Sequence, residues 1–497
     1  MAVLGSELKV LTWHGSIYAA GSILTKMIGF LMIPVYTRFL TTTEFGEYAL
    51  IGITIEVISI VIGMGVADAV YRYYFDTSED SDPDLVVSTA CVGVPIAGGL
   101  FILLLCSQSH WLAALTLDSS DKWMLLCIAL GELWLNQQMN LVYTYLRITE
   151  SSKAYVIVTL AKTFVSLSMN IYFVAFLKWG VMGLLLSNLI SAGIFTLLCY
   201  PFLLRKVGLR FSLSLTRKLL RYSLPIVPAN LASFAINVSD RYFIKSYFSI
   251  AQSGIYSLGY KFGNVNFYLI RVPFSQIWGP RRYTLYKEEA DPAIYARVAT
   301  YLFFLMVFSG MGIGLFMQDI IKLISPPEYW SAAHIIPAVA FCYAIYSLDT
   351  HIGFGINIAM RTEFYGIINV SNGVLNIILN FALIPRFGMW GAIGATFICF
   401  VVKIIALQLI ASRLFYIPFE WLRMLSIFLI AALVCVIRIL SPIESLLIGT
   451  AVNTILVFAY LLVLWVTGIV AHDEKAAIIK YSRLYLFNHF VRTGEVK

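Results

Sequence analysis

The sequence predicts an all-α integral membrane protein with about fourteen transmembrane helices, arranged as two pseudo-symmetric six-helix lobes followed by two extra C-terminal helices. Three observations support this fold class. Of the 497 residues, 60% are hydrophobic and 12% are charged, whereas a soluble domain has about 25% charged residues. The apolar residues form runs long enough to cross a bilayer. Two short motifs also recur in the same order at one offset, as in transporters built from internal repeats.

Fourteen apolar runs are candidates for membrane spans, because a spanning helix needs about 20 residues. We predict spans at 14–38, 46–71, 85–106, 123–146, 154–177, 180–204, 219–245, 252–279, 298–317, 332–358, 364–385, 389–411, 421–438 and 445–468. The run from His110 to Leu117 is too short to span, and we expect a loop or an interfacial turn there. We expect no cleavable signal peptide, since the first run is long and carries Lys26 in its middle.

The repeat has a period of 208 residues. Residues 45–52 (FGEYALIG) pair with residues 253–260 (SGIYSLGY), and residues 178–183 (KWGVMG) pair with residues 386–391 (RFGMWG) at the same offset. The offset covers six predicted spans, an even number, so both copies cross the membrane in the same direction. We therefore expect the two lobes to be related by a rotation near 180° about the membrane normal.

These patterns divide the chain into four parts. We predict an N-lobe at residues 1–210 with spans 1–6, a C-lobe at 211–415 with spans 7–12, spans 13 and 14 at 416–470, and a cytoplasmic amphipathic basic tail at 471–497. The basic linker from Arg205 to Arg221 joins the lobes, and we expect it to contact anionic lipid head groups.

The distribution of basic residues predicts the orientation. Of the 35 lysine and arginine residues, 22 fall on one side of the predicted spans, 7 on the other and 6 inside spans. The positive-inside rule therefore places both termini in the cytoplasm. The acidic stretch 76–84 falls on the same side, and because acidic residues contribute little to the rule, the assignment stands.

Ionisable side chains inside predicted spans are candidate functional residues, because charges are costly in hydrocarbon. They are Lys26, Glu56, Asp68, Glu132, Lys162, Asp240, Arg241, Lys261, Arg271, Asp349 and Lys403. Span 8 has two bases and no acid. Its bases lie ten residues apart, about 15 Å of helix and nearly three turns, so both could share one face. A cationic stripe suits an anionic substrate. Structural pairing or snorkelling to the interface is the alternative for each group.

Other features of the sequence limit the classes of function. We find no Walker A loop and no cluster of metal ligands, and we expect no enzyme activity, no cofactor and no nucleic-acid partner. The seven cysteines lie in or at the ends of spans, which is typical of small buried residues. The amides of spans 4, 7, 8, 10 and 11 either form interhelical hydrogen bonds or line a sugar-binding cavity.

Seven short motifs follow one another along most of the chain: 26–30 (KMIGF), 33–40 (IPVYTRFL), 44–48 (EFGEY), 222–228 (YSLPIVP), 239–243 (SDRYF), 254–259 (GIYSLG) and 387–392 (FGMWGA). In this order and spacing they resemble the Wzx-type oligosaccharide flippases. That family belongs to the multidrug/oligosaccharidyl-lipid/polysaccharide (MOP) exporter superfamily, which includes the MATE exporters. The resemblance implies a MATE-like fold with alternating access.

The implied function is translocation of polyprenyl-pyrophosphate-linked oligosaccharide repeat units, such as the O-antigen units of lipopolysaccharide. They would move from the cytoplasmic to the periplasmic leaflet of a bacterial inner membrane. In the family, spans 1, 2, 7 and 8 line a central cavity, which favours Lys26, Arg241, Lys261 and Arg271 as pyrophosphate-binding residues. Expected partners are membrane lipids, a polysaccharide polymerase and a chain-length regulator. The resemblance does not specify the glycan.

Without a nucleotide site, directional transport needs a proton or sodium gradient, or removal of the product. Glu132, Glu56 and Asp349 are the candidate ion-coupling residues. Glu132 is favoured because Asn136 and Asn140 follow it by one and two turns, and its alternative is a structural carboxylate paired with a lysine. Competing functions are a MATE-like ion-coupled multidrug exporter, a lipid II-type peptidoglycan precursor flippase and a membrane scaffold. The basic span 8 disfavours an exporter of organic cations.

Overall fold

The computed structural model describes residues 21, 24, 25, 27–75, 82–441, 443 and 445–476. Its helices are α1 (Ile33–Phe39), α2 (Thr42–Gly63), α3 (Val66–Tyr74), α4 (Pro83–Ser107), α5 (Ser109–Leu117), α6 (Trp123–Ile148), α7 (Ser152–Asn170), α8 (Gly180–Val207), α9 (Leu213–Ser223), α10 (Ile226–Val238), α11 (Asp240–Tyr247), α12 (Ile250–Gly263), α13 (Val272–Lys287), α14 (Pro292–Ile324), α15 (Ala332–Tyr346), α16 (Asp349–Ile352), α17 (Phe354–Ile358), α18 (Glu363–Leu414), α19 (Trp421–Leu440) and α20 (Leu446–Val466). Two π-helical segments, Ile171–Phe176 and Phe267–Arg271, follow α7 and precede α13. No strand occurs in the described ranges, and the predicted all-α fold class is confirmed.

Nine helical segments within the described ranges are long and apolar enough to cross a membrane. They cover predicted spans 2, 3, 5, 6, 9, 10, 13 and 14, and the 52-residue α18 contains both spans 11 and 12. Helix α6 matches predicted span 4, and the shorter apolar helix Met27–Phe39 covers part of span 1. The chain is therefore a multi-pass membrane protein. Most of the predicted tail lies outside the described residues.

Predicted spans 2, 7, 8 and 10 are interrupted rather than continuous. Span 2 is divided between α2 and α3 at Met64 and Gly65, which both have positive φ. Span 7 is divided between α10 and α11, span 8 between α12 and α13, and span 10 among α15, α16 and α17. Pro273 accounts for the π segment in span 8, because it has no backbone N–H for the helical carbonyl four residues earlier. Irregular backbone at membrane depth is tolerated where protein covers it or water reaches it.

The loop or interfacial turn expected at 110–117 is instead the nine-residue helix α5. Its Leu112, Ala113 and Leu117 are buried. The Thr116 hydroxyl also lies 3.2 Å from the hydroxyl of Thr54 in α2. Apolar packing against α2 and α6 therefore stabilises a helix that is too short to span.

Ion pairs between inter-span segments agree with the predicted sidedness. Arg210 of the basic linker pairs with Asp82 at 2.7 Å, and Lys245 pairs with Asp118 at 2.7 Å. Both residues of each pair belong to segments predicted on one side of the membrane. The N–H of Leu85 and the Arg210 guanidinium hold the pKa of Asp82 below its ordinary value. Which side faces the cytoplasm stays a prediction.

The chain forms two compact units. Unit 1 contains the described residues up to Lys261 together with Ile321–Ile335 and Ile356–Ile410, and unit 2 contains Phe262–Ile320, Ile336–Gly355 and the described residues from Ala411 onward. The predicted domain boundaries at 210, 415 and 470 stay predictions.

Inside unit 1, the two equivalent glycines of the repeat contact each other. A Cβ atom on Gly254 of α12 would lie 2.8 Å from the backbone nitrogen of Gly46 of α2 and would also meet the carbonyl of Thr42. Reciprocally, a Cβ atom on Gly46 would meet the carbonyl of Ile250, the residue that is equivalent to Thr42 in the second copy. Contacts that repeat in this exchanged manner are those of a local two-fold arrangement.

A second pair of contacts is also repeated between equivalent positions of the two copies. The Thr37 hydroxyl donates to the carbonyl of Ile324 at 3.4 Å. Lys245, the equivalent of Thr37 in the second copy, donates to the carbonyl of Leu115 at 2.7 Å. The repeat pairs Leu115 with the residue just before Ile324, so the acceptors of the two contacts nearly correspond.

The second motif pair has a shared backbone conformation. Gly180 and Gly388 are equivalent in the repeat, and each has φ of +56°. A left-handed φ disfavours residues with a Cβ atom, which explains why glycine occupies both positions. At Gly388 this conformation kinks α18 and separates the two spans predicted within it.

In unit 2 the two C-terminal spans are attached to α14 by a buried polar network. Arg438 of α19 donates to Asn453 of α20 at 2.7 Å, and Asn453 donates to Asp319 of α14 at 2.9 Å. Arg438 and Asp319 also form an ion pair at 3.5 Å. Arg438, assigned to an inter-span segment from sequence, is therefore a buried structural residue.

Gly254→Ala should lower the stability of the folded protein. The new Cβ atom would push α12 away from the backbone of α2, and overpacking of this kind costs about 1–3 kcal/mol. The measurement is the thermal unfolding midpoint of the purified protein in detergent. Gly52→Ala, also in α2 but with no atom within 4 Å of the added Cβ, is the matched control and should not lower the midpoint. Equal midpoints for the two variants would contradict the close contact.

Candidate functional site

The sequence-predicted cationic residues occupy different environments. Lys26 lies outside the described residues. Arg241 and Lys261 belong to unit 1, and Arg271 belongs to unit 2. Span 8 is interrupted between its two bases by residues 264–266 and the π segment. The backbone between the two side chains is therefore not the regular α-helix that the expected stripe assumes, and the stripe itself stays a prediction.

Arg241 and Asp240 form a buried ion pair at the start of α11. Arg241 Nη1 lies 2.8 Å from Asp240 Oδ1, and the two residues are 6% and 1% exposed. The Tyr256 hydroxyl donates to the other Asp240 oxygen, and the guanidinium lies 4.1 Å from the ring centroid of Tyr260. The charge of Arg241 is thus balanced within the protein. Its role in binding pyrophosphate stays a prediction that requires this pair to open.

Lys261, by contrast, is an exposed cation within a predicted span. Its ammonium lies 4.9 Å from the ring centroid of Phe45 and 5.9 Å from that of Tyr48, both in α2. Its side chain is solvent-accessible, and none of the ion pairs among the described residues includes it. Two aromatic rings do not replace the hydration of an ammonium group. Because an ammonium group without an acidic partner is costly beside lipid, we infer that Lys261 contacts water.

Helix α2 presents a solvent-accessible face beside Lys261. Tyr48, Gly52 and Glu56 follow one another at spacings of four residues, so they share that face. Glu56 is exposed and has no hydrogen-bond or ion-pair partner among the described residues, and no atom lies within 4 Å of a Cβ built on Gly52. A carboxylate without a counter-charge in the middle of an apolar helix also indicates that water reaches this side chain. Glu56 and Lys261 therefore mark one aqueous surface of unit 1.

In unit 2, Arg271 is paired with Asp349. Arg271 Nη2 lies 3.0 Å from Asp349 Oδ1, and the guanidinium lies 5.0 Å from the ring centroid of Phe267 and 6.0 Å from that of Tyr346. The pair joins the π segment of span 8 to the interruption in span 10. A predicted pyrophosphate-binding residue and a predicted ion-coupling residue thus neutralise each other.

Sequence reasoning missed Arg282 as part of this region. It donates to the carbonyl of Thr350 at 2.7 Å, and its guanidinium lies 4.9 Å from the ring centroid of Phe354. The neighbouring His351 is buried and stacks on Trp278 with an interplanar angle of 13°. Arg282 lies beyond predicted span 8, which ends at residue 279, and was therefore counted in an inter-span segment. Only the continuation of α13 to Lys287 places it beside span 10.

Glu132, Asn136 and Lys162 form a hydrogen-bonded chain inside unit 1. The Asn136 amide donates to Glu132 Oε1 at 3.2 Å, and its carbonyl oxygen accepts from the ammonium of Lys162. The amide therefore relays between a carboxylate of α6 and a cation of α7. Both interpretations of Glu132 find support in this arrangement. The contact with Asn136 was expected for an ion-coupling role, and the nearby Lys162 is the lysine expected for a structural carboxylate. The role of Glu132 stays a prediction.

Part of the amide pattern is accounted for by hydrogen bonds between helices. Ser239 donates to Asn376 Oδ1 at 3.3 Å, and Asn380 donates to the hydroxyl oxygen of Ser239 at 3.3 Å. These bonds connect the α10–α11 junction to α18. Within the described ranges, no group of three or more His, Cys, Asp or Glu side chains is placed to hold a metal ion.

Comparison with known proteins places this arrangement in a family. The polysaccharide biosynthesis protein family matches residues 13–281, more than half of the chain. The chain belongs to this family. An uncharacterized membrane protein of Haemophilus influenzae is 27% identical over 256 residues, which cover 49% of this chain and 58% of that relative.

Solved structures show the fold. An inward closed structure of the lipid II flippase MurJ is similar with a TM-score of 0.69 at 15% identity, covering 91% of this chain and 99% of that one. An inward-facing multidrug resistance MATE family transporter of the MOP superfamily has a TM-score of 0.60 at 13% identity, covering 81% and 95%. The MATE-like fold expected from the sequence is therefore confirmed.

Removing Asp240 and removing Lys261 should affect stability to different extents. Asp240→Ala leaves the buried Arg241 without its counter-charge, which costs about 3–5 kcal/mol. Lys261→Ala removes an exposed cation without an acidic partner and should change stability by less than about 0.5 kcal/mol. Thermal unfolding and size-exclusion chromatography in detergent measure both effects.

The double variant Asp240→Ala/Arg241→Met is the control for the buried pair. It removes both charges and should recover most of the lost stability. A Lys261→Ala protein that unfolds as readily as Asp240→Ala would contradict the assignment of Lys261 to the aqueous surface.

Proposed function

We propose that this protein is a flippase that moves polyprenyl-diphosphate-linked oligosaccharides from the cytoplasmic to the periplasmic leaflet of a bacterial inner membrane, by alternating access. Membership of the polysaccharide biosynthesis family and the multi-pass fold support a transporter in a glycan pathway. An O-antigen unit is the proposed cargo. A polysaccharide polymerase and a chain-length regulator are the proposed protein partners.

The observation that carries this proposal is the exposed cation Lys261 at membrane depth. A diphosphate has at least two negative charges and is bound by cations and hydrogen-bond donors in a partly dry site. A second cation is close, since Arg241 lies on the ring of Tyr260, the residue before Lys261. Opening of the Asp240–Arg241 pair would release it toward the diphosphate.

The same observation separates the competing functions. An exporter of organic cations would place an acidic or apolar surface where this chain has Lys261 and Lys162. A peptidoglycan precursor is also a polyprenyl diphosphate, so it fits Lys261 equally well, and only the attached saccharide distinguishes it. Translocation therefore has to be measured with both kinds of lipid-linked substrate.

Lys261→Ala should abolish translocation while the protein remains folded. The test reconstitutes purified protein into vesicles and follows the appearance of a fluorescent polyprenyl-diphosphate-linked saccharide in the opposite leaflet. We expect at least a tenfold loss of rate. The exposed Lys153, in the first turn of α7, provides the control, since Lys153→Ala removes a charge outside the aqueous surface. Full activity of Lys261→Ala would remove this residue from the mechanism.

Arg271→Ala should also abolish translocation, but it removes the ion pair with Asp349 and lowers stability. The double variant Arg271→Ala/Asp349→Ala keeps the local charge balanced and should fold normally, yet remain inactive. Normal transport by the double variant would show that the pair has only a structural role.

We further propose that Glu132 couples transport to an ion gradient, with Glu56 and Asp349 as the other candidates. Glu132→Gln keeps a group that can hydrogen-bond Asn136 but cannot bind a proton or balance a sodium ion. Translocation by this variant should become insensitive to an imposed proton or sodium gradient. Glu150→Gln, at a turn outside the spans, is the control. Normal gradient dependence of Glu132→Gln would assign coupling to another residue.

A further inference from the structure

A cavity of about 300 Å³ lies inside unit 1 among α1, α2, α6, α7 and α8. Its wall includes three tyrosines and three other polar side chains: Tyr36, Tyr48, Tyr143, Lys162, Asn170 and Asn188. The volume is at the lower end of the range for small-molecule sites, about 300–1,000 Å³. The function proposed above uses the charge of Lys162 and the carboxylate of Glu132, to which Lys162 is connected through Asn136, but it leaves the cavity itself without a role.

One side chain of the wall has an unused acceptor. Asn170 is only 4% exposed, yet its Oδ1 has no hydrogen-bond partner among the described residues. A buried amide oxygen without a partner is costly, which indicates that a bound molecule or water completes its bonding. Asn170 also ends α7 where the helix changes into the π segment Ile171–Phe176. Such π segments frequently occur at functional sites.

The remaining wall residues supply both donors and acceptors. The Lys162 ammonium has three donors and gives one to Asn136. Ser166 donates to Asn188 Oδ1 at 2.9 Å, which holds that amide in place. Tyrosine rings combine a flat apolar face with a polar hydroxyl. A saccharide ring has the matching chemistry, because it presents hydroxyls around its edge and C–H groups on its faces.

Other ligands fit this wall less well. An organic cation would be repelled by Lys162. A prenyl chain would leave the buried Oδ1 of Asn170 without a polar partner, and burying an unpaired polar group is unfavourable. An inorganic anion would contact only one cation, Lys162, together with three phenol rings. The negative charge of Glu132, at the other end of the hydrogen-bonded chain, also disfavours an anion.

The cavity adjoins the proposed diphosphate site through one residue. Tyr48 lines the cavity, and the Lys261 ammonium lies 5.9 Å from the centroid of its ring. In a lipid-linked oligosaccharide, the sugar joined directly to the diphosphate is the one that reaches a site one ring away. We propose that this cavity binds the first saccharide residue of the substrate, beside a diphosphate held by Lys261. The proposal rests on the function proposed above.

The test measures dissociation constants for the purified full chain in detergent with soluble short-chain probes. The probes are farnesyl diphosphate and three conjugates in which it carries glucose, N-acetylglucosamine or glucuronic acid. We expect at least one conjugate to bind tenfold or more tightly than farnesyl diphosphate itself. Three conjugates that bind no more tightly than farnesyl diphosphate would overturn the saccharide site.

Variants then test whether the tighter binding of a sugar conjugate, relative to farnesyl diphosphate, depends on the cavity. Asn170→Ala and Ser166→Ala should reduce the tenfold gain to less than threefold and leave the dissociation constant for farnesyl diphosphate within twofold. Ser168→Ala is the matched control, because Ser168 is exposed on the same helix and its hydroxyl bonds the carbonyl of Phe164. It should keep the full gain. Unchanged gains in Asn170→Ala and Ser166→Ala would show that the cavity holds only water.

The failure of this inference differs from the failure of the proposed function. If farnesyl diphosphate binds in a Lys261-dependent manner but no sugar adds affinity, only the saccharide site is wrong. If farnesyl diphosphate does not bind, the same sugars are tested as octyl glycosides. Binding that is lost in Asn170→Ala then supports the saccharide site without the diphosphate function, and absence of binding overturns both.

Discussion

The cost of an unpaired charge in hydrocarbon is the constraint on which the rest of this structure depends. Three arginines in or at the ends of predicted spans meet this constraint with aspartate partners: Arg241 with Asp240, Arg271 with Asp349, and Arg438 with Asp319. Lys162 satisfies it through the amide of Asn136. Lys261 and Glu56 have no such partner among the described residues, and their accessibility marks the surface that water reaches. The same constraint that stabilises the helices therefore identifies the surface proposed for transport.

The close contact of Gly46 and Gly254 explains how two copies of a module are joined. Glycines at equivalent positions let the backbones of α2 and α12 approach, and the exchanged contacts with Thr42 and Ile250 follow from their equivalence. This contact brings Phe45 and Tyr48 of the first copy under Lys261 of the second. The proposed aqueous surface thus lies where the two copies meet, and Tyr48 also lines the cavity proposed to bind a saccharide.

Part of the candidate site was predictable from sequence, because charges inside apolar runs can be counted. Glu132 was favoured for its spacing to Asn136, and the structure shows the expected contact between these neighbours on one helix. The pairing of Arg271 with Asp349 was not predictable, since 78 residues separate them and span 8 is interrupted before it reaches Arg271. Arg282 and Asn170 were missed because neither carries an unusual pattern in its own segment. Arg282 is a candidate only because it contacts the interruption in span 10, and Asn170 only because it lines the cavity.

The sequence by itself determined the properties that depend on residues close together along the chain. These include the membrane class, most of the spans and the internal repeat. Only the tertiary structure decided which charges neutralise each other, where spans 2, 7, 8 and 10 are interrupted, and that Lys261 lies against the rings of Phe45 and Tyr48. The physical reason is that hydropathy acts locally over one helix. Charge pairing, cavities and exposure instead depend on distances between helices that are remote in sequence.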